Sequence, residues 1–389
     1  MNNAPTVFAQ IMAGLDPTEV ARAAAQFPMP RASKTLQPYD HLAAMVFAQL
    51  TYRESLRGIE TCLCTRPALS YHMGIRGRVT RTNLAYANEH RDWRVFAAIA
   101  STLMRRAQRL YADTTPELGL EADLFALDAT VIELSMALFP WARWKKTLAS
   151  VKLNVLLDLR GDIPVFASLY EGKRHEVASL DELPVQPGSY YVMDRGYLDF
   201  SRLYRLHQAG AFFVTRLKTN TAYYVAESRP IDQATGLRCD QTIKLNSLVG
   251  QRDYPEKLRR ISFVDPETGN TLVFVTNQFD LPALLIAQIY RRRWAIELFF
   301  RWIKQHLRLR GFFSTSSNGV RVQIWSAISA YLLVAIAKRR LDLRQSLWEI
   351  LQTVSIASME QIALPELLAT LDTSKVHVVI PKQLEINYS

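Results

Sequence analysis

The stretch LFALDATVI, residues 124–132, decides the fold class of this chain. It is a nearly continuous apolar run, which is typical of a strand covered on both faces of a sheet. Residues 152–159 and 163–170 have strand character and flank the turn Arg160-Gly161-Asp162, so we expect a hairpin after the first strand. These three strands predict the beginning of a sheet with antiparallel neighbours.

Strand and helix then alternate further along the chain. We expect a strand over residues 189–193, a helix over 201–208 and another strand over 211–217. Hairpin strands followed by this alternation predict a mixed sheet in an α/β domain. Residues 220–280 carry several short β-like segments separated by turn residues, which indicates a β-rich insertion.

The two ends of the chain have a different texture from this α/β region. Helical spacing interrupted by prolines predicts an all-helical N-terminal domain over residues 1–115. The α/β core would then occupy residues 116–345. Residues 346–389 would form a helical C-terminal region with a short extended tail at 376–380.

Composition narrows the function classes. The 389 residues are 49% hydrophobic and 21% charged, which is typical of a globular protein and not of a disordered one. The net charge of +11 favours anionic partners such as nucleic acid or an anionic membrane surface. The three cysteines form neither an even disulfide set nor two metal-spaced pairs, as in a cytosolic protein.

Membrane insertion and secretion are not expected. Residues 1–15 lack the basic and apolar regions of a signal peptide. The most apolar helix candidate, residues 324–337, is too short to span a bilayer. We therefore expect a soluble, cytoplasmic protein without a membrane partner.

Residues 72–84 have the pattern of a DNA-reading helix. A glycine-containing turn precedes Thr80, a possible N-cap, and the helix that would follow carries Arg81 and Asn83 in its first turn. A helix-turn-helix presents arginine and asparagine to base edges in this way. An ordinary basic helical bundle explains the same residues equally well.

A second basic segment, YRRRWAIE at residues 290–297, continues as a helical pattern to residue 308. At about 100° of rotation per residue, one quarter of the helix would hold a single carboxylate among cations and a phenol. That stripe consists of Tyr290, Arg293, Glu297, Arg301, Lys304 and Arg308. A stripe with so little alternation of charge indicates a surface for a polyanion backbone.

Two aspartates could join Glu297 in one site. Asp128 lies within the first apolar strand, where a buried carboxylate needs a partner, and Asp194 follows the strand that ends at residue 193. Each has a plain alternative as a backbone-bonded aspartate at a strand end or turn. Three hard oxygen ligands suit Mg²⁺, or Mn²⁺ in its place, and two such ions can promote phosphodiester cleavage.

In these residues the chain resembles the DDE transposases of the insertion-sequence-4 family. The family signature places two residues between Tyr and Arg, three between Arg and Glu, and six between Glu and Lys. Tyr290, Arg293, Glu297 and Lys304 satisfy each of these spacings. The first and second acids of the family correspond to Asp128 and to Asp194 in Met193-Asp194-Arg195-Gly196-Tyr197.

The resemblance implies an RNase H-like catalytic core behind a DNA-binding helical domain. It further implies an enzyme that binds the terminal inverted repeats of a mobile element as a homodimer, cleaves there and joins 3′-ends to target DNA at the nucleoid. Asp128, Asp194 and Glu297 would hold two Mg²⁺, while Tyr290, Arg293 and Lys304 would contact phosphate. Trp294 would more often be a core aromatic than a base-stacking one.

Two other functions are compatible with the sequence. One is a DNA-binding regulator derived from a transposase with an inactive core. The other is an RNase H-like nuclease that does not join strands. The three intact acids count against the regulator, and the large helical front end and the β-rich insertion count against a simple nuclease.

Overall fold

A computed structural model describes residues 4–29, 35–114, 118–143, 149–172, 175–306 and 311–369 of the chain. The strands are β1 Leu124–Leu134, β2 Ala149–Asp158, β3 Ile163–Glu171, β4 Tyr190–Met193, β5 Phe212–Arg216, β6 Tyr223–Ser228, β7 Leu237–Leu245, β8 Leu258–Val264 and β9 Thr271–Thr276. The helices are α1 Val7–Met12, α2 Pro17–Gln26, α3 Pro38–Leu50, α4 Leu56–Thr65, α5 Pro67–His72, α6 Arg81–His90, α7 Trp93–Tyr111, α8 Phe200–Gln208, α9 Leu248–Asp253, α10 Ala283–Arg291, α11 Trp294–His306, α12 Ser317–Arg340, α13 Leu347–Ala357 and α14 Leu364–Ala369.

All nine strands belong to one sheet with the order β3-β2-β1-β4-β5-β9-β8-β7-β6. Strand β2 pairs antiparallel with both β1 and β3, whereas β4 pairs in parallel with both β1 and β5. The predicted hairpin and the mixed sheet are therefore confirmed, and with them the RNase H-like core. All ten residues of β2 are buried, since the sheet is covered on both faces there.

The β-rich insertion is confirmed as well, and it extends the same sheet. Strand β9 pairs antiparallel with β5, and β8, β7 and β6 follow in succession outward. The short helix α9 within the insertion was not predicted, because six residues carry too little periodicity to be recognised. The insertion thus places its strands beside the parallel half of the core.

Helix α12 is the central helix of the helical part and packs against both α7 and α3. It is 24 residues long, so the prediction of a helix too short to span a bilayer is wrong. Buried Gln323, Ser326 and Ser329 interrupt the apolar pattern, although the helix continues through them. Within the described residues, α12 alone is long and apolar enough for a membrane span, and 94% of its apolar window is buried inside the protein.

The N-terminal residues are helical as predicted, with α1 to α7 preceding β1. The N-cap at Thr80 is confirmed, since its side chain accepts a hydrogen bond from the amide of Asn83. Asn318 at the start of α12 accepts from the amide of Trp93 and donates to the carbonyls of Asn88 and Arg91. The boundaries at residues 115 and 345 stay predictions, and the tail at 376–380 lies outside the described residues.

Candidate active site

Asp128 and Asp194 lie side by side at the parallel pair of strands. Leu127 of β1 is in register with Met193 of β4, and the two aspartates are the residues that follow them in the chain. Neighbouring strands are about 4.8 Å apart, which brings the two carboxylates to the same edge of the sheet. The carboxyl ends of parallel strands gather ligands in open α/β sheets. Asp194 occupies that position directly after β4, and Asp128 lies beside it within the longer β1.

The backbone around Asp194 is held in place by local hydrogen bonds. The Asp194 carboxylate accepts from the amide of Gly196, and the Thr215 hydroxyl donates to the Asp194 carbonyl at 2.9 Å. A Cβ at position 196 would lie 2.9 Å from the carboxylate oxygen, so glycine allows this close approach. The Met193-Asp194-Arg195-Gly196 sequence therefore forms a tight turn directly after β4.

The basic segment after residue 283 forms two helices, so the prediction of one continuous helix is wrong. Helix α10 ends at Arg291 and α11 begins at Trp294, with Arg292 and Arg293 between them. The amide of Arg293 donates to the carbonyl of Tyr290 at 3.0 Å, an i to i−3 bond that tightens the chain. Glu297 therefore lies in the first turn of α11, where the helix dipole stabilises a carboxylate.

Arg293 contacts two of the three predicted acids. Its Nη1 lies 3.3 Å from Oδ2 of Asp128 and its Nη2 lies 2.7 Å from Oε1 of Glu297. The side chains of Arg293 and Asp128 are only 17% and 19% exposed, so both charges are largely removed from water. This bridge was not predicted from the sequence, although the i, i+4 spacing of Arg293 and Glu297 is a known signal for such a pair.

The electrostatics of the site are dominated by burial of Asp128. The pKa of Asp128 is raised to about 6, chiefly by burial and also by the charges of Asp194 and Glu297, although the hydrogen bond from the Ala129 amide and the charge of Arg293 both lower it. The Tyr197 hydroxyl lies behind the acids, and burial next to the charge of Asp128 raises its pKa well above the ordinary range. The three acids thus act on each other across a short distance.

A groove of about 370 Å³ opens over Asp128 and Glu297. Arg301 and Lys304 line it on the α11 side, so cations flank the acids as the stripe predicted. Arg301 is exposed, whereas Lys304 is half-buried, and burial lowers the pKa of the Lys304 ammonium. Arg308 lies outside the described residues.

A larger cleft of about 860 Å³ lies between the α10–α11 junction and the β8–β9 hairpin. Phe263 and Phe274 line it from the insertion. The Tyr290 ring packs against Phe274, with ring centroids 4.7 Å apart. Trp294 is 49% exposed and also lines this cleft, so the expectation that it is a core aromatic is wrong.

The predicted DNA-reading residues of α6 lie apart from the acids, on the helical N-terminal part. Arg81 is exposed at the first position of the helix. The Asn83 amide donates to the Thr35 hydroxyl at 3.1 Å and to the Arg78 carbonyl at 3.3 Å. Arg81 is therefore presented to solvent, whereas Asn83 is engaged within the protein.

The acids of this site provide oxygen atoms, which are the ligands that a divalent cation prefers. Within the ranges that the structure describes, no group of three acidic, histidine or cysteine side chains is close enough together to hold a metal ion. The carboxylates of Asp128 and Glu297 nevertheless converge on one positive charge, that of Arg293. Carboxylates that share a cation in this way are of the ligand type that Mg²⁺ and Mn²⁺ take, so the residues fit such an ion in kind.

A second arginine bridge, in the insertion, was also missed. Arg259 Nε and Nη2 donate to the two carboxylate oxygens of Asp240 at 2.8 and 2.7 Å. Arg259 Nη1 donates to the carbonyls of Gln278, Phe279 and Leu281, which lead into α10. This bridge ties β7 and β8 to the segment that carries the α10–α11 junction.

Comparisons with known proteins agree on one family. Residues 119–333 match the transposase DDE domain, and residues 3–76 match a domain of unknown function (DUF4372). The putative transposase y4zB of Sinorhizobium fredii is 35% identical over 260 residues, which cover 66% of this chain and 71% of that relative. The probable transposase for insertion sequence element IS5377 of Geobacillus stearothermophilus is 29% identical over 243 residues, 62% of each chain.

Two further likenesses are more distant. The putative transposase for insertion sequence element IS4SA of Synechocystis is 24% identical over 274 residues, covering 68% of this chain and 74% of the relative. Among solved structures, a piggyBac transposase synaptic complex with hairpin DNA aligns with a TM-score of 0.42 and 9% identity. That alignment covers 94% of this chain and 80% of the other.

Proposed function

The chain belongs to the transposase DDE domain family of insertion-sequence transposases, and from this premise we propose that it cleaves and joins DNA at the ends of its own element. Asp128, Asp194 and Glu297 would bind two divalent ions, Mg²⁺ or Mn²⁺, from neighbouring strands and the first turn of α11. When bound, such ions activate water or a 3′-hydroxyl and stabilise the leaving oxygen of a phosphodiester. The convergence of two of these carboxylates on one cation is the observation that carries the proposal.

The cations around the acids would bind the DNA backbone. Arg301 and Lys304 lie along the groove over Asp128 and Glu297, where phosphates could contact them by charge-assisted hydrogen bonds. Tyr290 and Arg293 would contact phosphate near the cleaved end, and Arg308, outside the described residues, would also bind the DNA backbone. Trp294 offers an exposed ring in the neighbouring cleft on which a base could stack.

Recognition of the element ends would belong to the helical N-terminal part. Arg81 at the exposed start of α6 would reach base edges, and Asn83 would do so after exchanging its contacts with Thr35 and Arg78. A homodimer would hold two ends together in the cell's nucleoid, because both ends of an element must be cut in one complex. Of these two residues, Arg81 is exposed to solvent, whereas Asn83 bonds to Thr35 and Arg78.

A variant that binds DNA but does not cleave it tests this function. We expect Glu297→Gln to lower Mg²⁺-dependent nicking of DNA ends about a thousandfold, because metal stabilisation is worth several kcal/mol. Binding of the same DNA in a gel-shift assay should change less than twofold. Glu366→Gln, at an exposed acid of α14, is the matched control and should cleave like the wild type. Retained nicking by Glu297→Gln would contradict the assignment.

A further inference from the structure

Arg293 occupies the space between two acids that are proposed to hold metal. Its guanidinium reaches Asp128 with one terminal nitrogen and Glu297 with the other, and its side chain is 17% exposed. An arginine that served only to contact DNA phosphate would be expected to point to the groove, as exposed Arg301 does. The positive charge of Arg293 is instead used inside the protein, on the acids themselves.

The contacts of Arg293 are incomplete for a purely structural arginine. Its Nε is buried and has no hydrogen-bond partner among the residues that the structure describes. The 3.3 Å contact with Asp128 is longer than the roughly 2.7–2.9 Å of a strong charge-assisted bond. Buried polar groups in proteins are normally satisfied, so an unsatisfied one needs a functional explanation.

Arg293 lies at a junction between two helices and not inside either of them. It lies between the last residue of α10 and the first residue of α11, at a junction made by i to i−3 hydrogen bonds. Residues at element ends absorb dihedral changes with little disturbance of the helices on either side. The groove with Arg301 and Lys304 borders the acids, and the large cleft borders Arg293 itself.

We propose that Arg293 is an internal cation that holds the place of a divalent metal ion between Asp128 and Glu297 and is displaced when the metal binds. This inference rests on the proposed function, since it requires that these acids bind metal. The acids then always face one cation, either the guanidinium or the ion. The displaced guanidinium becomes free for a DNA phosphate, so loading of metal and gripping of DNA are coupled.

Metal binding without DNA tests the displacement independently of catalysis. Free Mn²⁺ is titrated into the full chain at pH 8 and measured by electron paramagnetic resonance. Because a competing positive charge is removed, Arg293→Gln should bind Mn²⁺ about tenfold more tightly than the wild type. Arg291→Gln is the matched control, since Arg291 is 62% exposed and pairs with Glu267, and it should bind like the wild type.

Two more variants distinguish failure of the displacement from failure of the proposed function. Asp128→Asn should lose the site, and Arg293→Lys, which keeps one charge but cannot bridge both acids, should fall between the wild type and Arg293→Gln. If Mn²⁺ binding depends on Asp128 but neither Arg293 variant binds Mn²⁺ more tightly than the wild type, the displacement is wrong. The proposed function would then remain intact. Absence of Asp128-dependent binding from every protein would overturn both.

Discussion

The side chains of Arg259 and Arg293 both pair with carboxylates away from solvent, and they are bonded very differently. Arg259 in the insertion makes a bidentate pair with Asp240 and gives its remaining nitrogen to three carbonyls. Its side chain is 4% exposed. Arg293 reaches two separate acids with one nitrogen each and leaves Nε without a partner among the described residues.

The number of hydrogen bonds that each arginine makes distinguishes a structural ion pair from a functional one. A fully satisfied buried pair keeps a single geometry, because any movement would strand a charge away from water. In a pair with an unsatisfied donor and a carboxylate of raised pKa, less free energy is lost when the arginine exchanges one partner for another. Arg259 thus fixes the insertion to α10, whereas Arg293 is suited to an exchange of cations at Asp128 and Glu297.

The largest expected effect on stability is at the satisfied bridge. Asp240→Asn should lower the free energy of unfolding by about 3–5 kcal/mol, because Arg259 would be left as a buried charge without its counterion. Chemical denaturation followed by circular dichroism measures this loss. The matched control is Asp253→Asn, whose partner Arg252 is 74% exposed, and it should change stability by less than about 1 kcal/mol. Equal effects of the two variants would remove the structural role of the Arg259 bridge.

An effect of opposite sign is expected at the unsatisfied bridge. The pKa of Asp128 is raised to about 6 from an ordinary value of 3.8, with the attraction of Arg293 already included. The folded state therefore holds this proton more tightly than the unfolded state, and stability is lost as pH rises from about 4 to 6. Asp128→Asn escapes the loss and should be up to about 3 kcal/mol more stable than the wild type at pH 8.

The measurement for Asp128→Asn is denaturation in a chelator at pH 8 and at pH 4. The gain should shrink to less than about 1 kcal/mol at the lower pH, where the wild-type carboxyl is protonated in the folded state and partly protonated in the unfolded state. The variant should also be unable to cleave DNA, as expected where stability is given up for function. A variant less stable than the wild type at pH 8 would show that the charged Asp128 is a structural acid like Asp240.

The smallest expected effect is at the edge of the groove. Lys304→Ala should weaken DNA binding and lower the slope of log affinity against log salt by about 1, because one phosphate contact is lost. Stability should change little, since Lys304 is only half-buried. An unchanged salt slope would exclude Lys304 from the phosphate contacts and leave Arg301 as the backbone contact of this groove.

The sequence was sufficient for the parts of the protein that local patterns specify. The apolar run at 124–132, the hairpin after it and the N-cap at Thr80 are all local, and all three are confirmed. The length of α12 was underestimated, because the polar Gln323 precedes the apolar run at 324–337, although its side chain is bonded to the Phe313 amide and the Gly311 carbonyl inside the protein. A polar residue inside a helix is mistaken for the end of that helix when its hydrogen-bond partners lie outside the helix.

The arrangement of the candidate site depended on contacts that no local pattern contains. The helical character of residues 290–306 was predicted from their periodicity, but the break at Arg292 and Arg293 was not, since no glycine or proline marks it. The Arg293 contact with Asp128 joins residues 165 positions apart. The bridge between Asp240 and Arg259 is likewise visible only after β7 and β8 have paired.

The most direct test is cleavage of supercoiled DNA that carries the genomic flanks of this gene, in Mg²⁺, by the wild type and Asp128→Ala. We expect the wild type to cut at paired inverted repeats, and we expect the variant to bind the repeats without cutting them. Binding without cleavage by the wild type would contradict the account and favour a regulator. Cleavage without preference for the flanks would contradict it in favour of a general nuclease.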